Sequence, residues 1–157
     1  MEAKIGIEQV YLSKVSHELS KILASEFVLY VKTRNAHWNV EGPDFYSKHK
    51  FFEDQFMALE DIVDQVAERI RSLGHYPPGS MALFLELTKL SEFKRRPENS
   101  AGFIRELLTD HEGIITELRA NIDPFTAVFH DAGTGDFITG LLERHEKMAW
   151  MLRSHLT

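Results

Sequence analysis

The spacing of apolar residues limits this chain more than any other feature. Leu12, Val15, Leu19, Ile22, Leu23, Phe27 and Tyr30 recur mostly at steps of three and four, which is the period of one helix face. This predicts a first long helix from about residue 7 to 36. The segment NVEGPDFYSKH interrupts the pattern with Gly42 and Pro43, and Pro43 suits the first turn of a second helix that runs to about Leu73. Gly74 then provides a helix-ending residue, and the prolines of HYPPGS block continuation. In the long connection that follows, SMALFLELTKL reads as a short amphipathic helix of about ten residues covering a crossover. A third helix is expected from Asn99 or Ser100, either of which can cap it, to about Asn121, with Pro124 just beyond its end. After the acidic, glycine-containing turn HDAGTGD, a fourth long helix occupies roughly 134–156. The expectation is an all-α four-helix bundle with a short helix in the crossover, forming one domain over residues 1–157.

Composition narrows the function classes. At 157 residues a single core can form without a staple. Apolar residues make up 43% and charged residues 27%, and no uncharged apolar run is long enough to span a bilayer. The segment MEAKIGIEQVYLSK lacks the features of a secretory signal, so a cytoplasmic protein with no membrane partner is expected. Cys is absent, which excludes disulfides, thiol nucleophiles and thiolate metal sites; any metal must be held by His and carboxylate. The net charge of −6 gives the folded body no overall attraction to a phosphate backbone.

The second helix carries the chemistry. Glu53, Glu60, Asp64 and Glu68 follow His49 at intervals that place all five side chains within an arc of roughly 100°. A solvated face would show the same spacing. Here, however, Phe51, Phe52, Phe56, Met57, Leu59, Ile62, Val63, Val66 and Ala67 surround the stripe, so much of this helix must face protein. His37 ends the first helix beside Trp38. Along a straight helix Glu53 and Asp64 lie about 16 Å apart, too far to share an ion within one subunit. An antiparallel copy across a two-fold axis would bring the two ends together, one subunit offering His37, His49 and Glu53 and its mate Asp64 and Glu68. Such a donor set suits Fe²⁺, Mn²⁺ or Zn²⁺. The chain contains no Glu-x-x-His, the element that a di-iron site inside one bundle requires.

AHWNVEGPDFYSKHKFFEDQF followed by DIVDQVAERI resembles the Dps family of mini-ferritins, and the resemblance continues to HEKMAWMLRSHL near the C-terminus. It implies a ferritin-like bundle assembled as a dodecameric shell, with ferroxidase centres at two-fold interfaces built from His37, His49, Glu53, Asp64 and Glu68. Glu53 stands where many members carry Asp. The resemblance further implies iron storage with hydrogen peroxide preferred as oxidant, protecting against oxidative stress. It places Asp136, with Asp131 as second candidate, at acidic three-fold pores. Trp38 beside the site is a candidate electron donor or a packing residue. Glu60, on the stripe but outside the ligand pattern, is a candidate for mineral nucleation or a solvated surface residue.

Family members that bind DNA usually do so through a basic tail. Only Lys4 precedes the first helix here, and Arg153 is the one Lys or Arg after Trp150. Weak or absent DNA binding is therefore expected, with Lys94, Arg95 and Arg96 as a solvated basic turn. His17, His75, His111, His130, His145 and His155 are expected at the surface or in caps. The competing readings are a metal-free helical oligomer and a Zn²⁺ or Mn²⁺ site with the same ligands.

Overall fold

In a computed structural model of the chain, described over residues 3–94 and 97–157, the described residues are helical with no strand. The helices are α1 (Gln9–Asn39), α2 (Phe45–Ser72), α3 (Met81–Leu87), α4 (Ser100–Asp123) and α5 (Ala132–Arg153). Helix α1 packs along α2, and α4 along α5; α1 joins the two pairs and also carries α3. Leu12, Leu19, Leu29, Phe52, Leu59, Ile62, Ile70, Leu118, Phe125 and Leu152 are completely buried between them. Their three-and-four spacing is what closes the bundle. No helix among the described residues is long and apolar enough to cross a membrane.

The helix ends follow local chemistry. Asn99 accepts a hydrogen bond from the Gly102 amide at 2.9 Å, and Asp131 one from the Thr134 amide at 2.9 Å, each satisfying a donor that the first turn leaves open. Ser80 does the same for Leu83. At the end of α2, Gly74 takes φ +88°, donating to Arg71 O while His75 donates to Ile70 O. This paired arrangement closes the last turn and favours glycine.

Several boundaries differ from expectation. Pro43 lies in the turn before α2, not in its first turn. The crossover helix is seven residues long, ending where Thr88 turns to extended backbone and donates its hydroxyl to Ser25 Oγ at 3.3 Å. Pro124 does not stop the third helix. The backbone continues through it into a π turn, Pro124–Val128, in which Phe129 N donates to Pro124 O five residues back. Proline removes one backbone donor here, and Thr126 Oγ1 donates to Ile122 O at 2.6 Å. Helix α5 starts inside the predicted turn, at Ala132, because Asp131 caps it.

A buried Lys32–Asp110 ion pair links α1 to α4, and Lys32 also donates to Ser91 O at 2.9 Å. The crossover is thereby tied to the bundle. Of the basic run after α3, Lys94 is exposed, whereas Arg95 and Arg96 lie outside the described residues.

Candidate metal centre

Only five residues separate α1 from α2, so the last turn of α1 and the first turns of α2 stand side by side. That juxtaposition brings His37 and His49 together, with rings stacked at 3.8 Å between centroids and 24° between planes. His37 Nδ1 is 2.9 Å from His49 O, and His49 Nδ1 is 2.9 Å from His37 O. A carbonyl only accepts, so each Nδ1 carries the proton and each Nε2 keeps a lone pair. This is the tautomer a metal ligand needs, oriented by a hydrogen bond to the opposite ring nitrogen. His37 O is also one of the carbonyls that the end of α1 leaves without a helical partner. Phe45 and Phe56 flank the pair, with centroids 5.1 Å from the His49 ring and 5.2 Å from the His37 ring respectively.

Glu53 is one turn beyond His49, and its carboxylate accepts from Lys50 Nζ at 2.5 Å. That hydrogen bond, with the positive charge of Lys50, holds the carboxyl below its usual range. It is therefore an anion at neutral pH, held at the edge of the imidazole pair. An incoming cation would compete with Lys50 for it.

Asp64 and Glu68 lie exposed farther along α2. Among the described residues, no three His or carboxylate groups of a single chain are placed to hold an ion. The structure thus pairs His37 with His49 and sets Glu53 one turn along α2, while Asp64 and Glu68 lie apart from them. Glu60, also exposed, accepts from the Tyr30 hydroxyl at 3.3 Å. Trp38 is 62% exposed and lies against the Arg34 guanidinium, 5.5 Å from its ring centroid. Asp136 is exposed near the start of α5, just past its first turn. Asp131 is turned inward: besides capping α5, it receives Arg69 Nη2 at 3.1 Å and Thr134 Oγ1 at 2.5 Å.

Two of the six histidines expected at the surface or in caps are core residues. His111 and His145 are completely buried, with their Nδ1 atoms 2.9 Å apart. His145 Nε2 in turn lies 2.9 Å from Glu26 Oε1, also completely buried. The chain Glu26–His145–His111 thereby crosses from α1 through α5 to α4. Burial, and then the field of His145, hold the His111 ring well below its ordinary pKa, so it is neutral. The signal was present in the periodicity. Glu26 follows Ile22 by four and precedes Leu29 by three, His111 stands likewise between Leu107 and Ile114, and His145 between Leu141 and Met148. Of the others, His17, His130 and His155 are exposed and His75 is half-buried.

Four long helices, a long crossover bearing a short helix, and a histidine pair at the α1–α2 corner define a ferritin-like bundle. The Ferritin-like domain model matches residues 16–157. An uncharacterized low temperature-induced protein of Nostoc sp. is 42% identical over 97% of this chain and 85% of its own length. DNA protection during starvation protein 2 of Bacillus anthracis is 32% identical over 91% of this chain and 97% of its own. A Dps crystal structure from Vibrio cholerae, described as a member of a broad superfamily of ferritin-like diiron-carboxylate proteins, superposes with a TM-score of 0.93 at 26% identity, covering 99% and 97% of the two chains. The chain belongs to the Dps family of ferritin-like proteins.

Proposed function

We propose that this protein stores and detoxifies iron, oxidising Fe²⁺ at centres shared between two subunits of a closed homo-oligomeric shell. The observation that carries this reading is the reciprocal clamp of His37 and His49, which engages each Nδ1 and leaves each Nε2 for a ligand. Two imidazoles and one carboxylate are an incomplete set for iron. Asp64 and Glu68, exposed on the same helix, are the groups an antiparallel partner would bring to complete it. Iron enters as Fe²⁺, held by neutral imidazole and anionic oxygen. Hard carboxylates favour the Fe³⁺ product, since they offset its higher charge. Hydrogen peroxide is the proposed oxidant: two Fe²⁺ supply both electrons, and peroxide leaves as water without releasing hydroxyl radical.

A twelve-subunit shell would provide the cavity for ferric mineral. Asp136 is the proposed pore carboxylate, since the oxygens of Asp131 are engaged within the chain. A ring of such charges raises the local concentration of cations. Glu60, exposed on the same stripe, remains a candidate for mineral nucleation. The proposed setting is the cytoplasm. Mn²⁺ and Zn²⁺ would compete for the same donors, with cellular supply setting occupancy.

The test is anaerobic addition of Fe²⁺ to the purified protein, then peroxide, with near-ultraviolet absorbance following the ferric product. Rapid oxidation to a soluble product, lost in the His37→Ala/Asp64→Ala double variant, is the expected result. Equal oxidation by both proteins, or precipitation by both, would favour a metal-free structural oligomer.

A further inference from the structure

Three ionisable side chains of the bundle core take no part in the iron chemistry. Glu26, His111 and His145 come from α1, α4 and α5, and none is accessible to solvent. His145 is the middle member: its Nε2 lies 2.9 Å from Glu26 Oε1, and its Nδ1 lies 2.9 Å from His111 Nδ1. Facing ring nitrogens hold one proton between them, so one donates and the other accepts, and a carboxylate only accepts. The arrangement that fits both contacts has a proton on each nitrogen of His145, Glu26 as the anion and His111 as the neutral acceptor. The chain of three is then electroneutral. His111 Nε2 is buried without a hydrogen-bond partner among the described residues, so nothing on its far side can take up a charge.

A further proton has no place in this arrangement. On His111 it would set two N–H groups against each other, and on Glu26 it would remove the counter-charge of His145. Either way one positive charge is left in the core, where only water could offset it. The remaining charged groups on the elements packed against α4 are already engaged: Lys32 of α1 pairs with Asp110, and Arg153 of α5 with Glu112. The π turn, PFTAV, carries none. Burial and the field of His145 accordingly hold the His111 ring neutral. We propose that Glu26, His145 and His111 form an acid-operated latch, which holds α4 against α1 and α5 while it is electroneutral and releases α4 when one further proton enters. The latch is closed at neutral pH and opens below the ordinary histidine range, about 6.5. It sits eleven residues before His37, or about 16 Å along α1. Opening therefore loosens the α4–α5 side and leaves the α1–α2 corner paired. The inference is independent of the ferroxidase reading.

The experiment is peptide-resolved hydrogen–deuterium exchange on the purified oligomeric protein at about pH 7.5 and about pH 5, with rates corrected for the intrinsic effect of pH. In wild type the core amides of α4 and α5 should lose roughly tenfold or more of their protection at the lower pH, while those of the α1–α2 corner keep theirs. His111→Gln can still accept from His145 but takes up no proton, so it should move the opening to lower pH. Glu26→Gln removes the counter-charge and should move it to higher pH. A merely structural role would loosen both variants at every pH instead of shifting them in opposite directions. Equal protection of α4 and α5 in wild type at the two pH values, or shifts of both variants in one direction, overturns the latch. Should one variant fail to fold, wild type and the other variant decide.

Discussion

At the scale of single residues, the candidate metal centre and the bundle core use histidine in opposite ways. His37 and His49 each donate to a backbone carbonyl of the other residue, so replacing either side chain leaves the other ring with its acceptor. Single variants should therefore lose one donor without disorganising the second. His111 has no such outlet, since its neighbour is another imidazole. Two facing Nδ1 atoms accommodate one proton between them, so His111 and His145 cannot both be charged without breaking the contact. His111 is depressed in the folded state from an ordinary value of 6.5, so below that pH the unfolded chain binds a proton that the folded chain refuses. Stability should accordingly be fully present above about pH 6.5 and decline as the pH falls through and below it. The charged and titratable groups facing the ring are His145 on α5 and, beyond it, Glu26 on α1. Urea unfolding between pH 5 and 7.5 should show this slope, and a His111→Gln variant should be flatter across the same window. Parallel slopes would mean that His111 titrates normally.

Among the elements, the corner between α4 and α5 is the most tightly specified. A Cβ added at Gly135 would stand 2.7 Å from Thr126 Cγ2, so glycine is what lets α5 approach the π turn. Gly135→Ala is expected to destabilise the fold by about 1–3 kcal/mol through overpacking. Adding Thr126→Ser should recover part of that loss, because serine removes Cγ2 and keeps the hydroxyl that satisfies Ile122 O. Chemical denaturation of the two single variants and the double variant checks this. An additive cycle would show that the clash lies elsewhere. The same corner holds Asp131, which caps α5 and receives Arg69 from α2. It thereby ties the beginning of α5 to the helix that carries the candidate ligands.

For the whole molecule, the side chains Val31, Trp38, Tyr46, Met57, Met81 and Leu85 are exposed apolar groups that a subunit interface could cover. Asp64 and Glu68 are exposed on the same helix as Met57. If the proposed twelve-subunit shell forms, light scattering on the purified protein should give a mass near twelve copies of the 18.1 kDa chain, not one. A monomer would remove the basis for a shared centre. The net charge of −6 predicts little retention of duplex DNA in a gel shift at two salt concentrations. Strong retention near neutral pH would contradict that expectation.

The sequence by itself determined the four long helices, the helix ending at Gly74 and a cap at Asn99 or Ser100, because these depend on local spacing and on chemistry within a few residues. The candidate ligands could also be read from it, since His37, His49, Glu53, Asp64 and Glu68 form a pattern along one chain. It left undecided which nitrogen of each histidine is free. That depended on the α1–α2 corner placing each ring beneath a carbonyl twelve residues away. Nor did it separate His111 and His145 from the surface histidines by residue type. Their heptad-like positions pointed inward, but only the packing of three helices could bring a carboxylate and two imidazoles distant in sequence into one buried chain. Pro124 taught the same lesson in reverse. Its local signal says stop, yet the helical backbone runs on because a π turn rearranges the bonds that follow it.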